Sequence, residues 1–388
     1  MFDDQFLFQI IVPVFNEEET LEQVLSYAKA NDYLKHIVFV DDASRDSSPR
    51  ILREWSEKEG VRAISLKNNC RKEGAIRAVM EVLEREHGLA PYTVLLDSDS
   101  LIARSVTHGT LDSRIERAIA YMKDRRLGGM AFQIDAISHA KMNIFSYGAF
   151  ADYAAMQFDQ WLVGKQQQLW VINGPGGIFE TRRLLYILRS IVPDFETGDL
   201  LITVELMKDN QPIEFYPDIS VDTFVPTTLK AYFNQRRRWE RGTTKVLWNE
   251  RKFYTSLFCG FSLLALLTTI HLSLHFALLA SFIMVLSNSM AINDFFRVIV
   301  ASLLIWFVIS VLKGLWLKCR RKDFPFFRYC LCAVGNGMLW TIITTIARII
   351  GFWEGVVHLI TNHRRAAFSN SNEVEFSWLA IEKRAHLQ

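Results

Sequence analysis

Apolar and polar positions in the first 225 or so residues follow two alternating rhythms. Phe6 to Val14 is an apolar run interrupted by Pro13, which reads as a strand. Glu17 to Asn31 follows with Leu21, Val24, Leu25 and Ala28 at helical spacing. His36 to Val40 predicts a second strand ending at Asp41-Asp42-Ala43-Ser44, and Ser47 to Glu59 a second helix with a polar start. Val61 to Leu66, Lys72 to His87 and Tyr92 to Leu96 repeat the pattern, the last strand ending in Asp97-Ser98-Asp99. Strand, helix and strand in regular order predict an α/β fold on a parallel sheet, whose ligands gather at the carboxyl ends of the strands. The polar residues sit at those ends: Asn16 and Glu17, Asp41 and Asp42, Asn68 and Asn69, Asp97 and Asp99.

Beyond residue 250 the pattern changes. Phe253 to Asn293 carries no Asp, Glu, Lys or Arg over 41 residues, whereas one membrane crossing needs about 20. Val298 to Leu317 is interrupted only by Lys313, and Tyr329 to Ala347 forms a third apolar stretch. Three such stretches predict three or four transmembrane helices rather than buried helices of a soluble core. Met1 to Gln9 holds Asp3 and Asp4 without a basic flank, so no signal peptide is expected. Lys230 to Lys252 holds eight Lys and Arg against Glu240 and Glu250, which puts the entry to the first crossing on the cytoplasmic side. The basic segment from Lys318 to Arg328 and the basic tail cannot both be cytosolic with three simple crossings. A re-entrant or interfacial segment would absorb that conflict. These readings divide the chain into a cytosolic domain at 1–227, an amphipathic interface helix at 228–252, membrane helices at 253–360 and a polar tail at 361–388. They place the protein in the plasma (inner) membrane as a multi-pass protein with the bilayer as partner.

Composition narrows the function. The 388 residues are 50% hydrophobic and 22% charged, which excludes a disordered chain and suits two or three domains. Lys plus Arg (44) nearly cancels Asp plus Glu (42), so no nucleic-acid partner is expected. The five cysteines are scattered without metal or disulfide spacing.

Carboxylates gathered at one sheet edge repel each other unless a cation sits among them. Asp97-x-Asp99 therefore points to a divalent ion. Mg²⁺ or Mn²⁺ commonly bridges a protein carboxylate and substrate phosphates, which suggests a nucleotide diphosphate. Lys72, at the start of the third helix, is placed to meet a phosphate. A lone Asp-x-Asp is usually a solvated loop; three acidic strand ends in succession argue against that here.

Ile11-Val12-Pro13-Val14-Phe15-Asn16-Glu17-Glu18, Val40-Asp41-Asp42-Ala43-Ser44, Asp97-Ser98-Asp99, Thr197-Gly198-Asp199 and Gln235-Arg236-Arg237-Arg238-Trp239 stand in the order seen in processive glycosyltransferases of family 2, with QxxRW last. The sequence resembles chitin-oligosaccharide, hyaluronan, cellulose and poly-N-acetylglucosamine synthases from residue 7 to about 250.

The resemblance implies a GT-A, Rossmann-like domain and transfer of sugar from a nucleotide donor. Pro13, Phe15 and Glu17 would line the base and ribose pocket, with Asp41 and Asp42 continuing it toward the uracil. Lys72 would meet the diphosphate. Asp99 would bind the metal, and Asp97 would face the donor. Asp199 would be the general base that takes the acceptor proton. Gln235, Arg238 and Trp239 would serve the diphosphate and the acceptor sugar, the guanidinium by two-pronged contact and the indole by stacking. The competing reading of this stretch is a basic stripe against anionic lipid, and that is what Arg236, Arg237, Arg241 and Lys245 are expected to be.

Two departures stand out. Arg71 replaces the glycine expected before the phosphate lysine, and Gly198 replaces the middle acid of the xED pattern. Asn173-Gly174-Pro175-Gly176-Gly177 is either a turn that contacts the acceptor or an ordinary connection between strands.

The reading is an inverting transferase that moves sugar from UDP-N-acetylglucosamine or UDP-glucose to a growing β-linked polysaccharide, with a second copy or an export partner possible. Single transfer to a lipid acceptor is the alternative within the same chemistry. A non-catalytic nucleotide-sugar or glycan-binding membrane protein is the alternative of another class. A transporter is disfavoured because the apolar stretches hold few ionisable groups.

Overall fold

A computed structural model describes residues 6–86, 88–103, 109–138, 141–191, 196–259, 284, 287, 291–321, 324–335, 341–362 and 376–378. The chain forms two compact units: Met1–Ile134 with Val171–Phe224 and Asn362–Gln388, and Asp135–Trp170 with Val225–Thr361.

The first unit is built on a sheet whose first four strands fall where the apolar runs predict: β1 (Phe8–Val14), β2 (Ile37–Asp41), β3 (Arg62–Leu66) and β4 (Tyr92–Leu96). β1 lies between β2 and β4 and β2 beside β3, all parallel. Ile10, Ile11, Val12, Val38, Phe39, Ile64 and Val94 are fully buried, as continuous apolar strands require when both faces are covered. Helices α1 (Leu21–Ala30), α2 (Ser48–Glu59) and α3 (Arg71–Glu86) cross between these strands. α2 stops at Gly60, whose φ of 70° lies in the left-handed region that ends helices.

The sheet is mixed, which corrects the expectation of a parallel one. β5 (Ser100–Ile102), β6 (Gly129–Ile137), β7 (Gly176–Glu180) and β8 (Ile213–Phe224) extend it in the order β5-β8-β6-β7-β4-β1-β2-β3-β9. β7 runs antiparallel to both β4 and β6. Helices α4 (Leu111–Arg125), α6 (Thr181–Ser190) and α7 (Gly198–Lys208) complete the unit. The far edge is closed by β9 (Phe376–Trp378), antiparallel to β3, where the sequence pattern held no strand.

The second unit is helical: α5 (Ile144–Gly164), α8 (Leu229–Asn249), α9 (Arg251–Cys259), α10 (Ile292–Arg320), α11 (Phe326–Gly335) and α12 (Thr341–Asn362). Asn143 starts α5 with a reciprocal capping box through Ser146. Ala151, Ala154, Leu317, Phe324 and Tyr329 form a buried cluster where α5, α10 and α11 pack.

Among the described residues no helix is long and apolar enough to cross a membrane. This overturns the expected transmembrane region, and with it the multi-pass plasma-membrane placement. Most of the uncharged run from Phe253 to Asn293 lies outside the described residues. α9 and α11, with nine and ten residues, each reach about half of a 30 Å hydrocarbon layer. Three charges on or next to α10 and α12 are engaged by protein. Lys313 of α10 donates to Asp159 of α5 at 2.6 Å, and Arg321 donates to Asp135 at 2.7 Å. Glu354 of α12 accepts from Arg241 of α8 at 2.9 Å. Phe296, Leu304, Trp353 and Ile360 on the outer faces of α10 and α12 remain exposed.

Candidate active site

The loops that leave β1 and β2 are laced together. The Asn16 N–H donates to Ser44 Oγ at 3.0 Å, and the Arg45 N–H returns a bond to Asn16 Oδ1 at 2.8 Å. The Glu17 N–H donates to Ser48 Oγ at 2.9 Å, at the start of α2. Asn16 and Ala43 both take positive φ, 56° and 58°, so each chain turns sharply as it leaves the sheet. Phe15 is exposed on this rim, Pro13 is half-buried, and Glu17 points inward, accepting from Thr20 Oγ1 at 3.0 Å. Burial raises the Glu17 carboxyl above its ordinary range, and Asp97 adds to this.

Asp41 and Asp42 are both buried at the end of β2. Asp41 accepts from Ser65 Oγ at 2.7 Å and from the Ser44 N–H at 3.2 Å. Asp42 Oδ1 accepts from the Cys70 N–H at 2.6 Å, and burial pushes its carboxyl up to about 6. Arg71, which stands where a glycine is expected, holds φ at 62°. The backbone there keeps a glycine-like conformation and bears the cost of a side chain in it.

That turn sets Lys72 at the head of α3. Its ammonium pairs with Asp97 Oδ1 at the end of β4 and lies 3.5 Å from the Gly174 carbonyl. Burial works against the charge on Lys72, but Asp97 and Asp199 outweigh it and hold the ammonium above its usual range. Asp199, in the first turn of α7, accepts from the Gly174 N–H at 3.0 Å through Oδ2 and from the Leu200 N–H at 2.9 Å through Oδ1. Burial raises its carboxyl; Lys72 and the two N–H donors oppose the shift. A Cβ at Gly174 would stand 2.8 Å from Lys72 Nζ and 3.4 Å from Asp199 Oδ2 and Asp97 Oδ2. The structure thus brings Lys72, Asp97 and Asp199 to one point around Gly174, in the glycine-rich turn for which the sequence left two readings.

Asp99 accepts from Ser100 Oγ at 3.1 Å. Burial, with Asp97 and Glu17 nearby, pushes its carboxyl up to about 7. Among the described residues no three His, Cys, Asp or Glu side chains form a metal cage of their own. A carboxylate destabilised by burial and by two like neighbours does fit a divalent ion that completes its coordination with substrate phosphates and water.

Gln235, Arg238 and Trp239 lie on α8 in the second unit. Arg238 is exposed, and Gln235 Oε1 is buried without a hydrogen-bond partner. The Trp239 ring carries the Arg236 guanidinium 4.5 Å from its centroid and meets Tyr153 edge-on at 6.4 Å. One face of the indole is therefore taken by protein. Arg236, expected at the lipid interface, is buried, with Asp152 at 2.7 Å and the Tyr232 ring at 4.7 Å. Lys245 is buried as well.

Sequence reasoning missed Glu73 and left Gly174 undecided. Glu73 reads as a surface acid in the first turn of a helix, yet it is 5% exposed. With Asn173, Gly174 and Asp199 it lines a narrow recess beside the charged cluster.

The family model described as "Glycosyl transferase family 2" matches residues 9–161, and that described as "Glycosyl transferase family group 2" matches residues 92–318. The chain is 26% identical over 246 residues to a beta-monoglucosyldiacylglycerol synthase of Nostoc sp., covering 60% of this chain and 48% of that protein. It is 22% identical over 258 residues to a poly-beta-1,6-N-acetyl-D-glucosamine synthase of Staphylococcus aureus, covering 64% of this chain and 56% of that protein. The chain spans about half the length of the curated relatives it matches. Among solved structures, a mannosyltransferase from Pyrobaculum calidifontis in complex with GDP-Man and Mn²⁺ aligns with a TM-score of 0.49 at 16% identity, over 86% of this chain and 87% of that one.

Proposed function

Because this chain belongs to glycosyltransferase family 2, whose enzymes draw a sugar from a nucleotide donor, we propose that it performs inverting transfer from a UDP-sugar to the hydroxyl of a growing β-linked glycan. The observation that carries this reading is the fixed carboxylate of Asp199. Two backbone N–H groups, from Gly174 and Leu200, hold its oxygens beside the Lys72–Asp97 pair. A base held rigidly next to the cation that meets a leaving diphosphate is what inversion requires.

In this reading Asp199 takes the proton of the attacking hydroxyl. Lys72 neutralises charge developing on the departing diphosphate. Pro13, Phe15 and Glu17 hold the base and ribose at the rim, with Asp41 and Asp42 continuing that pocket. Asp99, with Asp97 facing the donor, would hold Mg²⁺ or Mn²⁺, which when bound supplies further neutralisation of the diphosphate. Gln235, Arg238 and Trp239 are assigned to the diphosphate and acceptor.

The names of the two curated relatives support glucose and N-acetylglucosamine as the first donors to test. A glycolipid acceptor is the second reading. It is favoured by the likeness to the diacylglycerol-modifying enzyme and by the Arg236 guanidinium on the face of Trp239, which leaves less ring for stacking a sugar.

The test is UDP release by the purified protein with UDP-glucose and UDP-N-acetylglucosamine, in Mg²⁺, Mn²⁺ or chelator, beside Asp199→Asn. Release that needs the metal and falls by about 10²- to 10⁴-fold in the variant supports the base assignment. An unchanged rate in Asp199→Asn refutes it. Mass spectrometry of the products then separates a glycan ladder from one sugar on diacylglycerol.

A further inference from the structure

The backbone of the residue before Asp199 is packed against a buried acid. α7 opens at Gly198, and a Cβ built there would collide with the carboxyl group of Glu73. Glu73 comes from the first turn of α3, next to Lys72 and far from residue 198 in sequence. Ile76, Leu95, Phe179 and Ile202 line the same recess, together with Lys72, Asn173, Gly174 and Asp199. Burying a carboxyl among such side chains costs free energy unless charge or hydrogen bonding offsets it. The charged groups that face it are Lys72 of its own helix, Asp97 at the end of β4 and Asp199 of α7, and the burial leaves its carboxyl at about 7. A hydrophobic side chain of the same size would fill the recess more cheaply, so volume alone does not account for an acid here.

We propose that Glu73 is a positioning residue for the reaction, its carboxyl group standing in the place a side chain at 198 would take and fixing both the first turn of α7, which aims Asp199, and the Lys72 ammonium. The inference rests on Asp199 being the base. Glu73 and Gly198 then form an exchanged pair. An acidic side chain on either backbone position can fill this recess, provided the other position is glycine. The two orders of the pair are interchangeable in function, and an acid on both or on neither is not.

Steady-state kinetics of UDP release test this with five variants: Glu73→Gln, Glu73→Gly, Gly198→Glu, the double exchange Glu73→Gly with Gly198→Glu, and Asp199→Asn. The near-isosteric Glu73→Gln is expected to melt like the parent while losing about tenfold in kcat at little change in donor KM. It is also expected to remove from the kcat/KM profile the inflection near pH 7 that titration of Glu73 contributes, since that carboxyl is neutral below it and repels Asp199 above it. Glu73→Gly and Gly198→Glu each lose 10²-fold or more, and the double exchange returns to within about tenfold of the parent. The inference is overturned if Glu73→Gln keeps both the parent kcat and the parent pH profile, or if the double exchange folds and is no better than Gly198→Glu alone. A fully active Asp199→Asn removes the base reading and this inference with it. An inactive Asp199→Asn beside normal Glu73 variants removes only this inference.

Discussion

Replacing Gly174 by alanine separates the site from the fold. The added methyl would stand 2.8 Å from Lys72 Nζ, and 3.4 Å from the carboxylate oxygens of Asp199 and Asp97. Ordinary contact begins at about 3.5 Å, so the ammonium must retreat by about 0.7 Å. Nζ is the free end of a flexible chain and moves at little cost to folding. The backbone of Gly174 is not in the left-handed region, so alanine brings no strain there and restricts the unfolded chain, a gain of about 0.4–1 kcal/mol. Chemistry is less forgiving. Reacting groups must be held within about 0.5 Å, and a displacement of about 1 Å costs about 10²-fold. The expected loss in kcat/KM is 10- to 100-fold, about 1.4–2.7 kcal/mol of transition-state stabilisation, at an unchanged or slightly higher Tm. The assay is UDP release over a range of donor concentrations, with thermal melting of the same samples. Activity within threefold of the parent would refute the argument that Gly174 keeps space for Lys72. A Tm lowered by several degrees would show instead that the methyl disrupts the fold.

Three further outcomes follow from the same structure. Lys72→Met removes the cation that holds the Asp199 carboxyl down, so the acid limb of the kcat/KM profile should move to higher pH, together with a rise in donor KM; an unshifted limb would uncouple the two residues. Asp42 titrates at about 6 when folded against an ordinary 3.8, so its protonated form adds stability below pH 4 that is lost as pH rises through 6. Asp42→Asn should flatten that part of a urea-denaturation pH series by on the order of 3 kcal/mol at most, and an unchanged slope would refute the shift. In the second unit, Arg236→Ala strips the buried partner from Asp152 and should cost about 1–3 kcal/mol, whereas exposed Arg238→Ala should fall within about 0.5 kcal/mol of the parent in the same melt.

The four parallel strands and the acids at their ends were legible because continuous apolar runs broken by polar helix starts carry their own period. β7 was not. Gly176-Gly177 opens it, and two glycines read as a turn until the crowding by Val221 and Ile172 shows why side chains are excluded there. The helical unit was misread because an apolar run does not tell a face turned to lipid from one packed on protein, and the partners that reveal the packing lie far away in sequence. Lys313 and Asp159 lie 154 residues apart in the chain, and Arg241 and Glu354 lie 113 apart. Glu73 escaped notice for a similar reason, since the room for its side chain comes from the glycine at 198, 125 positions away in the chain.

β9 ties Phe376–Trp378 to the outer edge of β3, opposite Leu66, Ser65 and Ile64. During synthesis that edge has no native cover until residue 378 has been made. At about 5–20 residues per second, the interval after β3 is about 15 to 60 s. An uncovered strand edge is a template for pairing with another chain, so the nascent protein passes through a window of self-association that the finished one has closed. A variant lacking residues 376–378 would carry that window permanently, which would appear as concentration-dependent light scattering during refolding.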